Sequence, residues 1–261
     1  MILTVDLGNT TIHLGIFEGS TLIKTWATNT DLFKEKSEYY SLFKRYFKEE
    51  GIDPSAFEGG ILSSVVPPLT LIIKAIFTDY FSIPMMELSP GIKTGLPIHI
   101  DKPDELGADL VASAVGARAE FGFPLTIIDL GTANKVTVID EKGNFIGAVF
   151  TPGLRVAVDA LVKNTAQLPA ISLQTPVKVI GKNTVDAMNS GATYGTMSEI
   201  LGLVRLIEKE LGYPTKRILL GGYAPYIKDL LQDEVIYAPH LQLKGLAHIY
   251  NRNKRGHRDE K

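Results

Sequence analysis

Short apolar runs and alternating apolar positions predict β-strands in two separate parts of the chain. In the first part, an apolar run over 2–7 precedes segments 11–17 and 21–26, which are joined by the short turn Glu18-Gly19-Ser20. In the second part, the same order recurs in strands predicted over 124–130, 134–140 and 144–150. Laying Asp6 on Asp129 also lays Ile16 on Ile139, which indicates a duplicated unit of strand, loop and hairpin.

Apolar residues at helical spacing predict helices between and after these strands. The clearest is 35–50, where Tyr39, Phe43, Tyr46 and Phe47 share one face. The other predicted elements are a strand over 59–67, a helix around 72–77, a strand over 85–88, helices over 108–121, 153–163 and 191–211, and a strand over 217–224. We predict an α/β fold with one domain over 1–117, a second over 118–250 and a solvated, mixed-charge tail over 251–261.

Composition narrows the class of protein. The chain has 261 residues, 45% of them hydrophobic and 21% charged, with a formal net charge of −2. This balance gives no electrostatic reason to expect a nucleic-acid partner. The absence of cysteine excludes disulfides, thiolate nucleophiles and cysteine-ligated zinc. With neither a signal-peptide pattern nor an apolar run of about 20 residues, we expect a cytoplasmic protein without a membrane partner.

The repeated feature with chemical meaning is Asp-Leu-Gly at the end of a predicted buried strand, at 6–8 and again at 129–131. Glycine lets backbone N–H groups approach a phosphate closely, and small polar residues add donors without bulk. An aspartate there can hold a cation or its water ligands beside the phosphates. We therefore predict that two such turns, facing each other across a cleft, bind one nucleotide. The residues assigned to this site are Asp6, Gly8, Asn9, Thr10, Thr11 and Asp129, with Gly221 and Gly222 placed against adenosine.

No G-x-x-x-x-G-K-[ST] or G-x-G-x-x-G sequence occurs, so the Walker and Rossmann phosphate sites are not indicated. The duplicated pattern instead resembles the superfamily of acetate and sugar kinases, heat-shock chaperones and actin. That resemblance implies two ribonuclease-H-like domains, with mixed sheets and flanking helices, around a nucleotide cleft.

A series of short segments resembles the type III pantothenate kinases along nearly the whole chain. They follow in that family's order: DLGNT at 6–10, SSVVP at 63–67, PDELGAD at 103–109, DLGTA at 129–133, PG at 152–153, LP at 168–169, IGKNT at 180–184, SGATYG at 190–195 and GGYA at 221–224. The resemblance implies ATP-dependent phosphorylation of pantothenate to 4′-phosphopantothenate, the first step of coenzyme A biosynthesis. It also implies Mg²⁺, a monovalent cation (K⁺ or NH₄⁺) and a homodimer.

The resemblance also assigns roles to individual residues. Asp109 matches the general base on the pantothenate hydroxyl, and Gly107 and Ala108 lie with it at the substrate. Asp6 matches the aspartate beside the phosphates and metal, and Asp129 the one associated with the monovalent cation. Thr10 and Thr132 match phosphate contacts, Gly221 and Gly222 the adenosine contact, and Thr184 a threonine that reaches the partner subunit's pantothenate. Simple helix capping is the alternative for Asp109 and for Thr184.

The chain departs from the family pattern at two places that bear on function. Leu110 stands where the family usually has an arginine that contacts pantothenate, and leucine cannot replace a planar cation. Asn134 and Lys135 stand where two hydroxyl residues usually follow the second turn; Lys135 would either bring charge to a phosphate or be a surface residue of the strand. The alternatives to pantothenate phosphorylation are therefore a kinase for another small hydroxylated acceptor and a catalytically impaired regulatory binding protein.

Overall fold

The structure, a computed structural model, describes residues 1–256. These residues form two compact units. The first comprises residues 1–96, 102–119 and 241–256, and the second comprises 97–101 and 120–240. The C-terminal helix thus belongs with the N-terminal unit, whereas the sequence placed 241–250 in the second domain.

A five-stranded mixed sheet forms the centre of the first unit. Its strands are β1 (Ile2–Leu7), β2 (Thr11–Glu18), β3 (Thr21–Asn29), β4 (Gly59–Ser64) and β5 (Met85–Glu87), in the order β3-β2-β1-β4-β5. β1 and β2 pair antiparallel, as do β2 and β3, whereas β4 and β5 continue the sheet parallel to β1. Every residue of β1 is buried, which explains its unbroken apolar run.

Four helices flank this sheet: α1 (Lys36–Glu49), α2 (Pro67–Ala75), α3 (Ala108–Phe121) and the C-terminal helix α8 (Leu241–Gly256). The apolar face predicted for α1 is buried, with Tyr39, Phe43, Tyr46 and Phe47 in the core. A capping box between Glu35 and Glu38 fixes the start of α1. α2 begins with prolines and ends in a π-helical turn over Ile76–Tyr80.

Two glycines allow α3 and α8 to touch through their backbones. A Cβ at Gly116 would lie 2.4 Å from the carbonyl oxygen of Leu241, and one at Gly245 would lie 1.8 Å from that of Ala112. Neither position can hold a larger residue unless the helices separate. This crossing explains why α3 is rich in small residues and fixes the helix that carries Asp109 in the first unit.

The second unit repeats the sheet of the first. Its strands are β6 (Leu125–Leu130), β7 (Ala133–Ile139), β8 (Phe145–Pro152), β9 (Lys216–Leu220) and β10 (Ile236–Tyr237), in the order β10-β9-β6-β7-β8. The pairing directions match, since β6-β7 and β7-β8 are antiparallel and β9 and β10 are parallel to β6. Both hairpins have a bulge at the corresponding point, between Ile16 and Phe17 and between Val138 and Ile139. The predicted fold class, two duplicated units with mixed sheets, is confirmed.

The helices of the second unit are α4 (Leu154–Asn164), α5 (Thr184–Ser190), α6 (Thr196–Leu211) and α7 (Lys228–Leu231). α4 and α6 pack on the sheet through Leu154, Ile200 and Val204, beside Ile128 and Leu219 of the central strands. A π-helical turn over Gly191–Gly195 joins α5 to α6.

Three details differ from the sequence expectations. The pairing of Asp6 with His13 and of Asp129 with Lys135 shows that the first turn is one residue longer than the second, so Ile16 corresponds to Val138 and not to Ile139. Helices α7 and α8 and strand β10 had not been predicted, and α5 was implied only by the capping alternative for Thr184. Residues 251–256 continue α8 and are not a tail, while 257–261 lie outside the described residues. Among residues 1–256, no helix combines the length and apolar character needed to cross a membrane.

Candidate active site

The first phosphate turn joins β1 to β2 and is closed by hydrogen bonds from within its own unit. The Gly8 N–H donates to the Thr11 carbonyl oxygen at 3.0 Å. Thr30, just after β3, donates its Oγ1 hydroxyl to the Gly8 carbonyl at 2.6 Å and its N–H to the Thr10 carbonyl at 2.9 Å. Asn9 and Thr10 are exposed at the tip. The turn therefore presents the two predicted phosphate-binding residues on a braced backbone.

Asp6 lies beneath this turn and is only 6% exposed. Its partner in register on β4 is Ser63, whose buried hydroxyl has no hydrogen-bond partner among the described residues. An unsatisfied buried polar group in a folded protein calls for a ligand or water. Mg²⁺ typically takes one or two carboxylates together with waters and substrate phosphates, so this pair of oxygen donors suits it. Residues 1–256 contain no cluster of three or more His, Cys, Asp or Glu that could hold a metal by itself.

Asp109 lies in the first turn of α3 and is half-buried. Its Oδ1 accepts the N–H of Leu110 at 2.9 Å, and a Cβ on Gly107 would lie 2.6 Å from the same oxygen. The preceding glycine thus leaves the space in which the carboxylate folds back over the helix start. Backbone N–H groups converge at a helix N-terminus, so the carboxylate of Asp109 lies beside backbone hydrogen-bond donors.

Leu110 is 5% exposed and faces the interior of the protein. Position 110 therefore supplies packing in this chain, and any cation that binds an acidic acceptor comes from another position. The structure therefore agrees with the departure from the family pattern that the sequence shows, because a buried leucine side chain offers no hydrogen-bond donor at position 110.

The second phosphate turn places Lys135 against Asp129. The two residues are directly opposite in the antiparallel register of β6 and β7, so their side chains project from the same face. The Lys135 Nζ lies 3.4 Å from Asp129 Oδ2, with the side chains 21% and 9% exposed. The sequence left two interpretations of Lys135 open. Its interpretation as a surface residue of the strand is wrong, because its ammonium group contacts the buried carboxylate of Asp129.

The Gly-Gly turn after β9 meets the same carboxylate from the other side. Gly221 has φ +100°, and a Cβ there would lie 2.4 Å from the Leu130 carbonyl oxygen and 2.6 Å from Asp129 Oδ1. The Tyr223 N–H donates to the Leu130 carbonyl at 2.9 Å. A Cβ on Gly222 would meet no atom within 4 Å. Gly221 is therefore required for the fold of the turn, whereas Gly222 presents an open surface on which an adenosine can lie.

The Pro152-Gly153 turn also closes on the second phosphate turn. The Gly153 N–H donates to the Thr132 carbonyl at 3.1 Å, and a Cβ on Gly153 would lie 2.2 Å from the Gly131 carbonyl oxygen. Gly153 is the N-cap of α4, so this helix begins directly beside the turn. Helix N-termini favour anionic groups, and the start of α4 lies beside the turn in which Thr132 is exposed.

Thr184 is the first residue of α5, and the N-cap is Asn183, whose side chain accepts the Asp186 N–H. The capping alternative for Thr184 is therefore wrong. Thr184 is exposed and lines a cavity of about 830 Å³ within the second unit, together with Lys182, Met188 and Glu199.

An ion pair stabilises β9, the strand that directly precedes Gly221. Arg217 donates to Glu208 of α6 from Nη2 at 2.9 Å and from Nε at 3.3 Å, and Thr215 donates its N–H to the same carboxylate at 3.0 Å. Burial raises the pKa of Glu208, but the hydrogen bonds from Arg217 and Thr215 outweigh it and hold the pKa below its ordinary value.

The surroundings of Asp129 do not suit a further monovalent cation. Oδ2 is in contact with the Lys135 ammonium, and Gly221 lies close enough to Oδ1 that a Cβ at that position would be 2.6 Å from it. Two unit positive charges about 4 Å apart repel by roughly 4 kcal/mol at the effective dielectric of a protein surface. A potassium or ammonium ion at this carboxylate would have to overcome that repulsion.

Comparison with known proteins agrees with the order of motifs. A family profile described as type III pantothenate kinase matches residues 2–206. A protein of that name from Exiguobacterium sp. is 40% identical over 255 residues, which cover 98% of this chain and 100% of the relative. The chain belongs to the type III pantothenate kinase family.

Solved structures add agreement at the level of the fold. A Campylobacter jejuni protein assigned to the Baf family of transcriptional activators is 16% identical with a TM-score of 0.59, over 97% of this chain and 99% of that one. The activator of 2-hydroxyisocaproyl-CoA dehydratase from Clostridium difficile, solved with bound ADPNP, is 11% identical with a TM-score of 0.55, over 100% and 98%. At these identities the likeness concerns the fold alone.

Within this family member, the structure brings part of the predicted site together. In the second unit, Asp129, Thr132 and Gly221 lie around one turn. Sequence reasoning missed Ser63, Gly153 and the orientation of Lys135. The hairpin could have indicated the last of these, because pairing Leu130 with Asn134 necessarily sets Lys135 opposite Asp129.

Proposed function

We propose that this chain transfers the γ-phosphoryl group of ATP to the hydroxyl of pantothenate, giving 4′-phosphopantothenate for coenzyme A biosynthesis. The observation that carries the proposal is the match over almost the full chain to a relative named type III pantothenate kinase. The positions of Asp6, Asp109 and Asp129 at a strand end, a helix start and a second strand end support it.

Asp109 is the proposed general base. It accepts the proton of the pantothenate hydroxyl while the oxygen bonds to the γ-phosphorus and the bond from that phosphorus to the β-phosphate oxygen breaks. The helix start around Gly107 and Leu110 orients the carboxylate, since Oδ1 accepts the Leu110 N–H. ADP leaves with the bridging oxygen.

In each unit, we assign nucleotide contacts to the turn that follows the first strand of its sheet, and in the second unit also to the Gly-Gly turn. Asn9, Thr10 and Thr132 offer donors to phosphate oxygens from exposed positions, and Gly222 offers a flat backbone to adenosine. Asp6, with Ser63 beside it, would hold the divalent ion, which when bound neutralises charge on the phosphates. The chain's own contribution is to fix these donors on backbone that is already hydrogen-bonded.

A homodimer forms part of the proposal. Thr184 is exposed beside the cavity of the second unit, where it is available to a partner's substrate. Val177 is 95% and Ile180 82% exposed on the segment that leads to it, and apolar side chains this exposed favour an interface.

We place the chain in the cytoplasm, where ATP and pantothenate occur together.

The proposal is tested by following ADP release with purified chain, Mg²⁺–ATP and pantothenate, with phosphopantothenate identified by mass. Asp109→Asn keeps an oxygen for the Leu110 N–H but removes the base, so turnover should fall by about 10²–10⁴-fold with ADP affinity retained. Asp104→Asn is the matched control, since Asp104 is exposed on the short helical turn just before Asp109. Equal turnover by the two variants would remove Asp109 from the mechanism.

A different acceptor is the second candidate function, and the buried Leu110 is the observation that favours it. A panel of small hydroxylated acids and alcohols, assayed under the same conditions, distinguishes the two. If another acceptor gives a higher kcat/KM than pantothenate, the substrate assignment moves to that compound. ATP binding without turnover on any acceptor would instead indicate a regulatory binding protein.

A further inference from the structure

Lys135 is held at Asp129 by the backbone of the second phosphate turn. The register of β6 and β7 places the two residues opposite each other, and the Nζ to Oδ2 distance is 3.4 Å. Both side chains are largely buried, at 21% and 9% exposure. A cross-strand pair at this depth is set by the hairpin and does not depend on the chance meeting of two surface chains.

The charge at Asp129 is thereby balanced from within the chain. A carboxylate this deeply buried needs a compensating positive charge, because desolvation of an unpaired anion is costly. A hydroxyl side chain at position 135 would leave that charge to be supplied by an ion from solution. A lysine instead carries the positive charge on a side chain of the protein itself. The net charge of the carboxylate and its partner is the same in the two cases.

The Gly-Gly turn comes close to the other oxygen of the same carboxylate. A Cβ on Gly221 would lie 2.6 Å from Oδ1, so the Gly-Gly turn is packed directly against that oxygen. Asp129 therefore meets the Lys135 ammonium on one side and the Gly221 backbone on the other. An additional cation at this carboxylate would therefore lie close to the Lys135 ammonium and be repelled by it.

The first unit has a different residue at the corresponding position. There the residue opposite Asp6 is His13, which is exposed, whereas Lys135 is largely buried. The two duplicated aspartates therefore have different cross-strand neighbours, a histidine and a lysine, and Asp6 also lies beside the Ser63 hydroxyl.

We propose that the Lys135 ammonium takes the place of a monovalent cation at Asp129, so that this chain binds nucleotide and turns over without K⁺ or NH₄⁺. The activity part of this inference rests on the proposed kinase function. The binding and stability parts do not, because they concern only Asp129, Lys135 and the adjoining turns.

The first experiment uses the unmodified chain in potassium, ammonium or tetramethylammonium chloride at equal ionic strength. Thermal unfolding without ligand, ADP affinity by calorimetry and the initial rate with pantothenate are measured in each salt. We expect ADP affinity and rate to differ by less than about threefold among the salts, with no potassium-specific rise in the unfolding temperature. A larger stimulation by K⁺ or NH₄⁺, or a potassium-specific stabilisation, overturns the proposal.

The second experiment tests whether removal of the Lys135 charge makes ADP binding depend on a monovalent cation. Lys135→Met removes the charge while keeping an unbranched chain, so ADP affinity in tetramethylammonium should fall by about 10–100-fold and recover in K⁺ or NH₄⁺. Lys135→Arg should remain indifferent to the salt. Lys142→Met is the matched control, since Lys142 is exposed at the turn between β7 and β8 of the same sheet. If Lys135→Met behaves like Lys142→Met, the proposal is wrong.

The two proposals fail in different ways. Absence of pantothenate-dependent turnover in every salt counts against the kinase assignment, while the unfolding temperatures still report whether K⁺ binds. If Lys135→Met is too unstable to study, the salt series on the unmodified chain decides the question by itself.

Discussion

Replacing Gly221 with alanine tests the packing of the Gly-Gly turn against the second phosphate turn. Gly221 has φ +100°, a conformation that costs an alanine about 1–2 kcal/mol. The new Cβ would also lie 2.4 Å from the Leu130 carbonyl oxygen, 2.5 Å from its nitrogen and 2.6 Å from Asp129 Oδ1. None of these atoms is the end of a flexible chain free to move away, so the turn itself must shift, at a further cost of about 1–3 kcal/mol.

The neighbouring glycine provides the matched control. A Cβ on Gly222 would meet no atom within 4 Å, and its φ lies outside the positive range, so Gly222→Ala should change stability by less than about 0.5 kcal/mol. Gly221→Ala should lose about 3 kcal/mol in total, which for a chain of this size lowers the unfolding temperature by roughly 6–12 °C.

The assay is thermal and urea unfolding of the two variants and the unmodified chain, followed by ADP titration. Gly221→Ala should lose both stability and ADP affinity, because the shift moves Asp129 and the turn together. Gly222→Ala should lose ADP affinity alone if adenosine lies on that backbone. Equal stability of the two variants would refute the close packing of Gly221 against Leu130 and Asp129.

Three further outcomes are expected from other parts of the chain. Glu208→Gln should destabilise the chain by about 1–3 kcal/mol at neutral pH. Because the folded pKa of Glu208 is lowered, the stabilisation is present above its unfolded pKa and lost as pH falls below about 4, so urea midpoints of variant and parent should converge in acid. Gly153→Ala should lower the unfolding temperature and ADP affinity together, since its Cβ would lie 2.2 Å from the Gly131 carbonyl oxygen, whereas Gly191→Ala, with no atom within 4 Å, should do neither. Ile180→Ser should weaken dimerisation in light scattering at low concentration without changing the unfolding of the second unit, as the residue is 82% exposed; an unchanged mass distribution would remove this segment from the interface.

The sheets of both units could be predicted from sequence because their signal is local. β1 and β6 are apolar runs that lead into Asp-Leu-Gly, and each is followed by a hairpin of two further strands. The duplication was visible for the same reason. The predicted alignment of the two copies was wrong by one residue after the first turn, because the sequence alone does not show how many residues each turn contains.

Helix α8 illustrates what local patterns leave out. It packs in the first unit, and its position depends on the backbone contact of Gly245 with Ala112 and of Gly116 with Leu241. These residues are more than a hundred positions apart in the chain. No periodicity within 241–256 could indicate which sheet the helix would cover.

For the candidate site, the sequence by itself determined which residue types stand at the proposed positions: an aspartate near the end of each of two buried strands, an aspartate in the first turn of a helix, and glycines where backbone comes close. Only the tertiary structure decided what those residues meet. Register set Lys135 against Asp129, and strand β9 brought Gly221 to the other side of the same carboxylate. The physical reason is that a residue type fixes charge and hydrogen-bonding capacity locally, whereas the neighbours that neutralise or exclude a cation come from strand pairing between distant segments.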